Sequence, residues 1–353
     1  MMTIPIVAVA PIDRHDRQPV MDTLQRPLHD LRISLTDRCN FRCVYCMPRK
    51  IFGAGYRFLP QTSLLTFEEI ELISRAFISL GVEKIRLTGG EPLLRPGLPQ
   101  LVERLASIEG LKDLTLTTNG ALLTAKMAQE LRAAGLRRIT ISLDALDDAV
   151  FQRMNDVGVP ASRILEAIDH AASAGLTPIK VDMVVRRGYN EQAIIPMAEH
   201  FRGTGYVLRF IEFMDVGNTN EWRREDVVSA AEILAVLRER WEIIPLEPGY
   251  YGEVAERWAY ADGAGEFGII ASVTQPFCRT CTRARLSAEG KLYTCLFAHN
   301  GFDLRTPLRA GAGIAEMREL IHQRWSIRAD RYSELRTAQP VRWKKVEMSH
   351  IGG

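Results

Sequence analysis

The sequence predicts an α/β fold, a partial (β/α)6 TIM-like barrel followed by a C-terminal extension. The first observation behind this prediction is a strand–helix alternation that repeats six times between residues 31 and 240, which indicates a parallel sheet with right-handed crossovers. The second is the length of 353 residues, which suits one open barrel with an appendage. Periodicity alone leaves a doubly wound flat sheet open as the alternative.

The six β/α units can be assigned from apolar runs and helix-end signals. The predicted strands cover residues 31–35, 83–88, 112–118, 138–143, 179–185 and 206–213. A capping box formed by Thr66 and Glu69 starts the first helix, which Gly81 ends. Later helices are predicted over residues 97–108, 124–134, 190–201 and 229–240. Between the strands at 138–143 and 179–185, helices are predicted that end at residue 174.

The alternation changes after Pro245. Strands are predicted at residues 254–260 and 267–273, a hairpin at Glu289-Gly290, and one helix over 307–322. The sequence therefore predicts three parts, a flexible N-terminal tail (1–25), a barrel (26–245) and a C-terminal domain (246–353). Polar residues follow the predicted barrel strands, where α/β folds place their ligands.

Composition narrows the functional class. The formal net charge is only +2, with 46% apolar and 25% charged residues, which excludes a disordered chain and argues against a general nucleic-acid binder. The longest apolar runs are shorter than the roughly 18 residues that span a bilayer, and the N-terminal segment lacks the basic leader of a signal peptide. We therefore expect a cytoplasmic protein with reduced cysteines.

The six cysteines form two triads separated by a long cysteine-free stretch. The first has the spacing C-x3-C-x2-C and the second C-x2-C-x13-C. The candidate metal ligands are Cys39, Cys43, Cys46, Cys278, Cys281 and Cys295. Three thiolates on a four-iron cluster leave one iron open for a non-protein ligand. The sequence thus predicts two metal sites, each able to bind a further molecule.

Zinc remains an alternative at this stage, especially for the second triad. His299 follows Cys295 by four residues, so Cys278, Cys281, Cys295 and His299 could form a tetrahedral Cys3His site. Against this, Arg283 and Arg285 alternate on a predicted strand and should project to one face. Paired guanidinium groups beside an open metal site suit an anionic, phosphate-bearing substrate.

The first triad, within CNFRCVYCMP after the first strand, resembles the signature of the radical S-adenosylmethionine (SAM) superfamily. The Gly-Gly-Glu-Pro run at residues 89–92 is similar to that superfamily's motif for the methionine amino group. Residues from about 28 onward further resemble the GTP 3′,8-cyclase family of molybdenum cofactor biosynthesis. The motifs are KIRLTGGEPLLR, LTLTTNG, ISLDAL, RFIEFMDVGN, FCRTCTRARLS and the terminal Gly-Gly.

That resemblance implies two 4Fe-4S clusters, one in the barrel and one in the C-terminal extension, and SAM as cofactor. SAM is cleaved to methionine and a 5′-deoxyadenosyl radical that takes the 3′ hydrogen of GTP. The resemblance implies that the ribose radical then adds to guanine C8, and that reduction of the resulting radical gives 3′,8-cyclo-7,8-dihydro-GTP. The resemblance further implies a homodimer and a downstream cyclic pyranopterin monophosphate synthase, without identifying the electron donor.

The resemblance also implies roles for individual residues. The positions that match SAM contacts are Tyr45, Gly90, Glu91, Asn119, Ser142 and Met214. The positions that match GTP contacts are Arg32, Lys84, Arg86, Thr117, Lys180, Arg283, Ala284 and Arg285. The resemblance assigns catalytic roles to Arg209, Gly352 and Gly353. In the family, the C-terminal tail that matches the two glycines reaches into the active site. On this interpretation, His299 is not a ligand.

Two other functions remain as alternatives. One is a different radical SAM enzyme with an auxiliary cluster, for example one that acts on peptides. The other is a zinc-stabilised binding module. The basic residues Arg32, Arg86 and Lys180, with the arginine pair of the second triad, favour a triphosphate substrate over a peptide.

Overall fold

A computed structural model describes residues 19–336 and 344–353 of the chain. Within these ranges the strands are β1 Asp30–Ser34, β2 Lys84–Thr88, β3 Asp113–Thr118, β4 Arg138–Ser142, β5 Lys180–Val185, β6 Val207–Glu212, β7 Ile243–Leu246, β8 Glu256–Tyr260, β9 Glu266–Ile270, β10 Arg283–Leu286, β11 Lys291–Tyr293 and β12 Phe302–Asp303. The α-helices are α1 Phe67–Ser79, α2 Leu98–Ala106, α3 Ala125–Ala133, α4 Asp148–Asn155, α5 Ala161–Ser173, α6 Ile194–Phe201, α7 Ala230–Arg238, α8 Arg305–Arg309, α9 Ile314–Ser326, α10 Tyr332–Leu335 and α11 Met348–Ile351.

All twelve described strands belong to one sheet, in the order β12-β11-β10-β1-β2-β3-β4-β5-β6-β9-β8-β7. Strands β1 to β6 are parallel neighbours joined by helices, so the six predicted β/α units and the partial barrel are confirmed. The C-terminal segment adds one parallel strand to each side, β10 beside β1 and β9 beside β6. The sheet is therefore continuous across residue 245, and the predicted domain boundary there stays a prediction.

Two details of the sequence analysis are wrong. The single helix predicted over residues 307–322 is two helices, α8 and α9, because the chain turns at Gly311, whose φ is +104°. The flexible tail predicted for residues 1–25 lies in part outside the described residues. Its described portion is anchored, since Asp22 is buried and the Val20 amide donates to the carbonyl of Leu80.

The two faces of the barrel sheet differ in chemistry. Outward-facing positions such as Leu31, Ile85 and Leu116 are fully buried and pack against the helices. The first helix presents Ile73 and Phe77 to this core, and its predicted capping box at Thr66 is present. The hydrophobic core thus lies outside the sheet, which leaves the inner face for polar side chains.

Strand register aligns basic side chains on that inner face. Arg32 on β1 pairs in register with Arg285 on β10 and with Arg86 on β2. Further round, Asp182 on β5 is in register with Arg209 on β6. Because residues in register on parallel strands share a face, the interior of the barrel carries a band of charged groups.

The end of the chain returns to the barrel. Ile351 of α11 is fully buried, and Gly353 reaches the cavity described below. None of the helices in the described ranges combines the length and the apolar character that crossing a membrane requires.

Candidate active site

A cavity of about 290 Å³ lies inside the sheet, at the carboxyl ends of the barrel strands. All six cysteines line it, so the fold brings together two triads that lie over 230 residues apart in the sequence. The other predicted site residues that line it are Arg32, Tyr45, Arg86, Gly90, Glu91, Thr117, Asn119, Ser142, Arg209, Met214, Arg283, Arg285 and Gly353.

The loop that carries the first triad is held against the Gly-Gly-Glu segment by backbone contacts. The amide of Gly90 donates to the carbonyl of Thr36 at 2.7 Å, and that of Glu91 to the carbonyl of Arg38 at 2.8 Å. A Cβ on Gly90 would overlap the Arg38 carbonyl, and Gly89 has a φ of +150°. Glycine is required at both positions because the two backbones approach so closely.

Glu91 is a buried carboxylate held by three donors. Its oxygens accept from the Thr118 hydroxyl at 2.6 Å, the Asn119 amide at 2.8 Å and the Leu93 amide at 3.0 Å. Burial nevertheless raises the pKa of Glu91 to about 7. A cationic amino group bound here would offset that desolvation cost, so the site favours a cation.

Tyr45 and Asp144 form a second polar pair near the first triad. The Tyr45 hydroxyl donates to Asp144 at 3.0 Å, and the amide of Val184 donates to the same carboxyl at 2.9 Å. Burial raises the pKa of Asp144 to about 7. Asn220 donates to the carbonyls of Tyr45 and Met214, which ties two predicted SAM-contact positions together.

The thiols of the first triad are buried and close enough to influence one another. Burial raises the pKa of Cys43 well above its ordinary value, and the charges of Cys39 and Cys46 raise it further. Burial likewise raises the pKa of Cys39 to about 12. The positive charge of a bound metal would stabilise these thiolates, so the triad fits a metal centre.

The thiols of the second triad differ in their surroundings, since burial and the charge of Asp330 raise the pKa of Cys295 to about 12, whereas Cys281 has cationic neighbours. Burial raises the pKa of the Cys281 thiol, but the charges of Arg283 and Arg328 outweigh it and lower the pKa to about 6. Arg328 donates to the Cys281 sulfur at 3.2 Å. A thiolate is therefore favoured at Cys281 even before a metal binds.

All six thiols are available as metal ligands. All six cysteines are free of disulfides. Across residues 19–336 and 344–353, no three His, Cys, Asp or Glu side chains are arranged as ligands of one metal ion. A four-iron cluster takes each thiolate on a different iron, which is a wider arrangement than the tetrahedron around one zinc ion. His299 does not line the cavity.

A crowded set of guanidinium groups lines the same cavity. Burial, followed by the charges of Arg285 and Arg86, lowers the pKa of Arg32 well below its ordinary value. Burial and the charge of Arg283 lower the pKa of Arg285 to about 10. Neighbouring like charges destabilise one another. A bound anion would relieve this repulsion, so this part of the cavity suits an anionic ligand.

Arg209 differs from those arginines because it already has a carboxylate partner. Its Nε and Nη2 donate to the two carboxylate oxygens of Asp182 at 2.7 and 2.8 Å. This bidentate pair fixes the guanidinium in place. Arg86 in turn donates to the Thr117 hydroxyl at 3.3 Å, which holds both side chains against the cavity wall.

The C-terminal glycines meet this cationic wall. Arg285 donates to the carbonyl of Gly352 in a short contact. Gly352 has a φ of +77°, and a Cβ there would overlap the Thr88 hydroxyl. Glu347 anchors the tail by accepting from the Asn218 amide and from the Thr219 hydroxyl, both at 3.0 Å.

Three predicted GTP-contact residues do not line the cavity. Lys84 and Lys180 are the first residues of β2 and β5, so they lie at the amino ends of these strands. Lys84 donates to the Tyr250 hydroxyl at 3.0 Å and faces Asp30 at 3.6 Å. Ala284 is fully buried in the outer core, which leaves only its backbone available on the inner side.

Sequence reasoning missed several polar side chains of the site. Glu212 is fully buried and accepts from the amides of Ala230, Val273 and Thr274. Asp182 could have been found, because it follows Lys180 at the two-residue spacing of one strand face. Arg328 gave no such signal, since nothing in the sequence relates it to Cys281.

Comparisons with known proteins agree with this geometry. The model for the radical SAM superfamily matches residues 33–201, and the model described as Molybdenum Cofactor Synthesis C matches residues 206–334. Among solved structures, Streptococcus suis SuiB bound to S-adenosylmethionine aligns with a TM-score of 0.57 at 16% identity. That alignment covers 76% of this chain and 60% of SuiB, and at this identity it shows a shared fold only.

Curated relatives are much closer in sequence. GTP 3′,8-cyclase of Acidothermus cellulolyticus is 54% identical, with 95% of this chain and 99% of the relative covered. Those of Xanthomonas axonopodis pv. citri and Staphylococcus epidermidis are 52% and 51% identical, over 95% and 96% of this chain and 99% and 100% of the relatives. The chain therefore belongs to the GTP 3′,8-cyclase family of radical SAM proteins.

Proposed function

We propose that this chain is a GTP 3′,8-cyclase that converts GTP to (8S)-3′,8-cyclo-7,8-dihydroguanosine 5′-triphosphate, the first step of molybdenum cofactor biosynthesis. The observation that carries the proposal is one cavity lined by both cysteine triads, with Arg32, Arg283 and Arg285 on the same wall. A nucleoside triphosphate supplies the anion that these arginines lack.

At one end of the cavity, the first triad would hold a 4Fe-4S cluster and the neighbouring residues would hold SAM. When bound and reduced, this pair supplies the 5′-deoxyadenosyl radical that removes the 3′ hydrogen of GTP. Glu91, whose carboxyl is buried and fixed by three donors, binds the amino group of SAM. Tyr45, fixed through Asp144, offers an aromatic surface to the adenine.

At the other end, Cys278, Cys281 and Cys295 would hold the second cluster, which would keep one iron without a protein ligand and so available to the substrate. Arg283 and Arg285 bind the triphosphate, and Arg32 and Arg86 extend that cationic surface along the sheet. Arg209 is oriented by Asp182 and stabilises negative charge near the reacting ribose. The protein's contribution is positioning and exclusion of water.

The C-terminal glycines complete the site in this proposal. Gly352 is held by Arg285 and has no room for a side chain beside Thr88. Gly353 lines the cavity directly. We propose that the tail helps to position the bound GTP relative to the first cluster and SAM, so that the ribose lies in a productive orientation for loss of its 3′ hydrogen.

The proposal also covers the partners and the location of the enzyme. The cyclised nucleotide is consumed by a downstream cyclic pyranopterin monophosphate synthase in this proposal. The proposal further includes a homodimer and a cytoplasmic location, where free thiols stay reduced. The reaction also needs a low-potential one-electron donor.

Anaerobic reconstitution followed by incubation with GTP, SAM and a reductant tests this function. We expect about eight irons per chain, 5′-deoxyadenosine that depends on GTP, and a cyclised nucleotide. Stoichiometric zinc without sulfide would contradict the proposal in favour of a binding module. Deoxyadenosine that forms equally without GTP would instead support a radical SAM enzyme for another substrate.

A further inference from the structure

A buried polar network lies beside the second triad, and all of its members except Thr294 lie behind the residues that line the cavity. It comprises Asp22, Arg26, Thr294, Arg328 and Asp330. Asp22 and Arg26 are 2% and 0% exposed, and Arg328 is 4% exposed. Buried charges of this kind are costly unless each is paired and hydrogen-bonded. The partners of each charge therefore indicate what the network stabilises.

Arg328 contacts the chain on both sides of the proposed second cluster. Its Nη2 donates to the Cys281 sulfur at 3.2 Å, and its Nη1 donates to the Cys281 carbonyl at 2.8 Å. Its Nε donates to the carbonyl of Thr294 at 3.0 Å, immediately before Cys295. One guanidinium therefore fixes the backbone beside two of the three ligand cysteines.

Asp22 fixes that guanidinium in turn. Its Oδ2 accepts from Arg328 at 3.0 Å and from Arg26 at 2.6 Å. Arg26 reaches the third cysteine, since its Nη1 donates to the carbonyl of Cys278 at 2.7 Å. Residues near the N-terminus thereby hold a site built from the C-terminal part of the chain.

The first triad has no counterpart to the hydrogen bond between Arg328 and the Cys281 sulfur in the described part of the chain. In the described part of the chain, Cys39 accepts at its sulfur from the Phe41 amide at 3.4 Å and faces the neutral Asn119 amide at 3.7 Å. No guanidinium donates to the sulfur of Cys39, Cys43 or Cys46 among those residues. The acidic groups Glu91 and Asp144 lie nearby, and the guanidinium of Arg42 donates to the backbone carbonyl of Cys39, at 2.8 Å, rather than to its sulfur.

We propose that Arg328, anchored by Asp22, is a positioning residue that raises the reduction potential of the second cluster through its hydrogen bond to the Cys281 sulfur. This inference rests on the proposed role of the second triad as a cluster site. A cluster becomes more negative when it accepts an electron from an external donor. A cation and an N–H donor at the ligand sulfur stabilise that reduced state.

The test is a redox titration of the fully reconstituted chain, followed by electron paramagnetic resonance. In Arg328→Gln, we expect the second-cluster signal to shift to more negative potential, while the first-cluster signal stays in place. A tenfold change in the ratio of oxidised to reduced cluster corresponds to about 59 mV for one electron, and we expect a shift of at least that size. An unchanged second-cluster potential would overturn the proposal.

Two further variants keep the experiment decisive. Arg331→Gln is the matched control, because Arg331 is a nearby arginine that pairs with Glu334 instead; it should leave both signals unchanged. Arg328→Lys keeps the charge but not the fork geometry, and we expect a smaller negative shift. If both Arg328 variants lose four irons while the control keeps eight, Arg328 serves only assembly and the proposal is wrong. A parent chain that binds only four irons would contradict the proposed function itself.

Discussion

The two cysteine triads face one cavity, yet Cys43 in the first triad and Cys281 in the second have charged neighbours of opposite sign. The first lies near Glu91 and Asp144, whose pKa values burial raises to about 7. The second lies near Arg283 and Arg328, which lower the pKa of Cys281 to about 6 against the effect of burial. The acidic end suits the ammonium group of SAM, and the basic end suits a triphosphate. In the proposed function, this contrast separates the cofactor from the substrate within a single cavity.

The largest expected effect comes from removing either triad. Cys43→Ser should lower the iron content from about eight to about four per chain and abolish 5′-deoxyadenosine formation. Cys278→Ser should lower the iron content equally but leave SAM cleavage measurable, with no cyclised nucleotide. Iron and sulfide analysis with chromatography of both products checks this difference. Identical product patterns in the two variants would contradict the assignment of separate roles.

Removal of Gly352 and Gly353 should be the next most severe change. We expect turnover to fall at least about 100-fold, the cost of a misplacement of about 1 Å at a reacting centre, while both clusters still assemble. Gly352→Ala should act in the same direction, since its Cβ would overlap Thr88. Gly313→Ala is a suitable control, because a Cβ at Gly313 meets open space. Normal turnover in the truncated chain would exclude the tail from the mechanism.

Loss of one arginine at the basic end should have a smaller effect confined to GTP. A hydrogen bond to a charged group contributes about 1.5–3 kcal/mol. Arg283→Ala should therefore raise the KM for GTP about 10-fold or more and leave the KM for SAM nearly unchanged. Steady-state kinetics with each substrate varied separately measures both constants. The exposed Arg137 provides a control through Arg137→Ala. A larger effect on SAM would remove Arg283 from the GTP end.

The smallest expected effect is a pair of opposite pH dependences. Burial and the charges of Arg209 and Arg138 lower the pKa of Lys180 to about 8, so its ammonium is lost above pH 8. Because Lys180 lies outside the cavity lining and acts only through its charge near Arg209, kcat/KM for GTP should decline slightly there. Burial raises the pKa of Glu91 to about 7, so its carboxylate forms as the pH rises and kcat/KM for SAM should increase through pH 7. Lys180→Arg should flatten only the GTP profile, and Glu91→Gln only the SAM profile. A decline for GTP that persists in Lys180→Arg would exclude Lys180 as its source.

The sequence predicted the barrel well because its signals are local. Hydrophobic periodicity located β1 to β6, and the capping box at Thr66 located α1. Likewise, the Gly-Gly-Glu run and the two cysteine spacings identified short segments whose chemistry is contained within them. These features need no knowledge of distant contacts.

Contacts between distant segments were beyond such reasoning. Parallel pairing of β9 with β6 and of β10 with β1 depends on long-range packing, so the C-terminal segment was expected as an appended domain. The contact between Arg328 and Cys281 joins residues 47 positions apart, and Asp22 lies 306 positions from Arg328. Lys84 illustrates the same limit, since its motif gave its strand but not its depth in the barrel.

The central claim is that a radical formed at the acidic end meets the ribose of a nucleotide held at the basic end. The most direct test is anaerobic turnover of GTP that carries deuterium at the ribose 3′ carbon. We predict that deuterium appears in 5′-deoxyadenosine and that the nucleotide product is cyclised at C8. Unlabelled 5′-deoxyadenosine formed together with cyclised product would contradict the account.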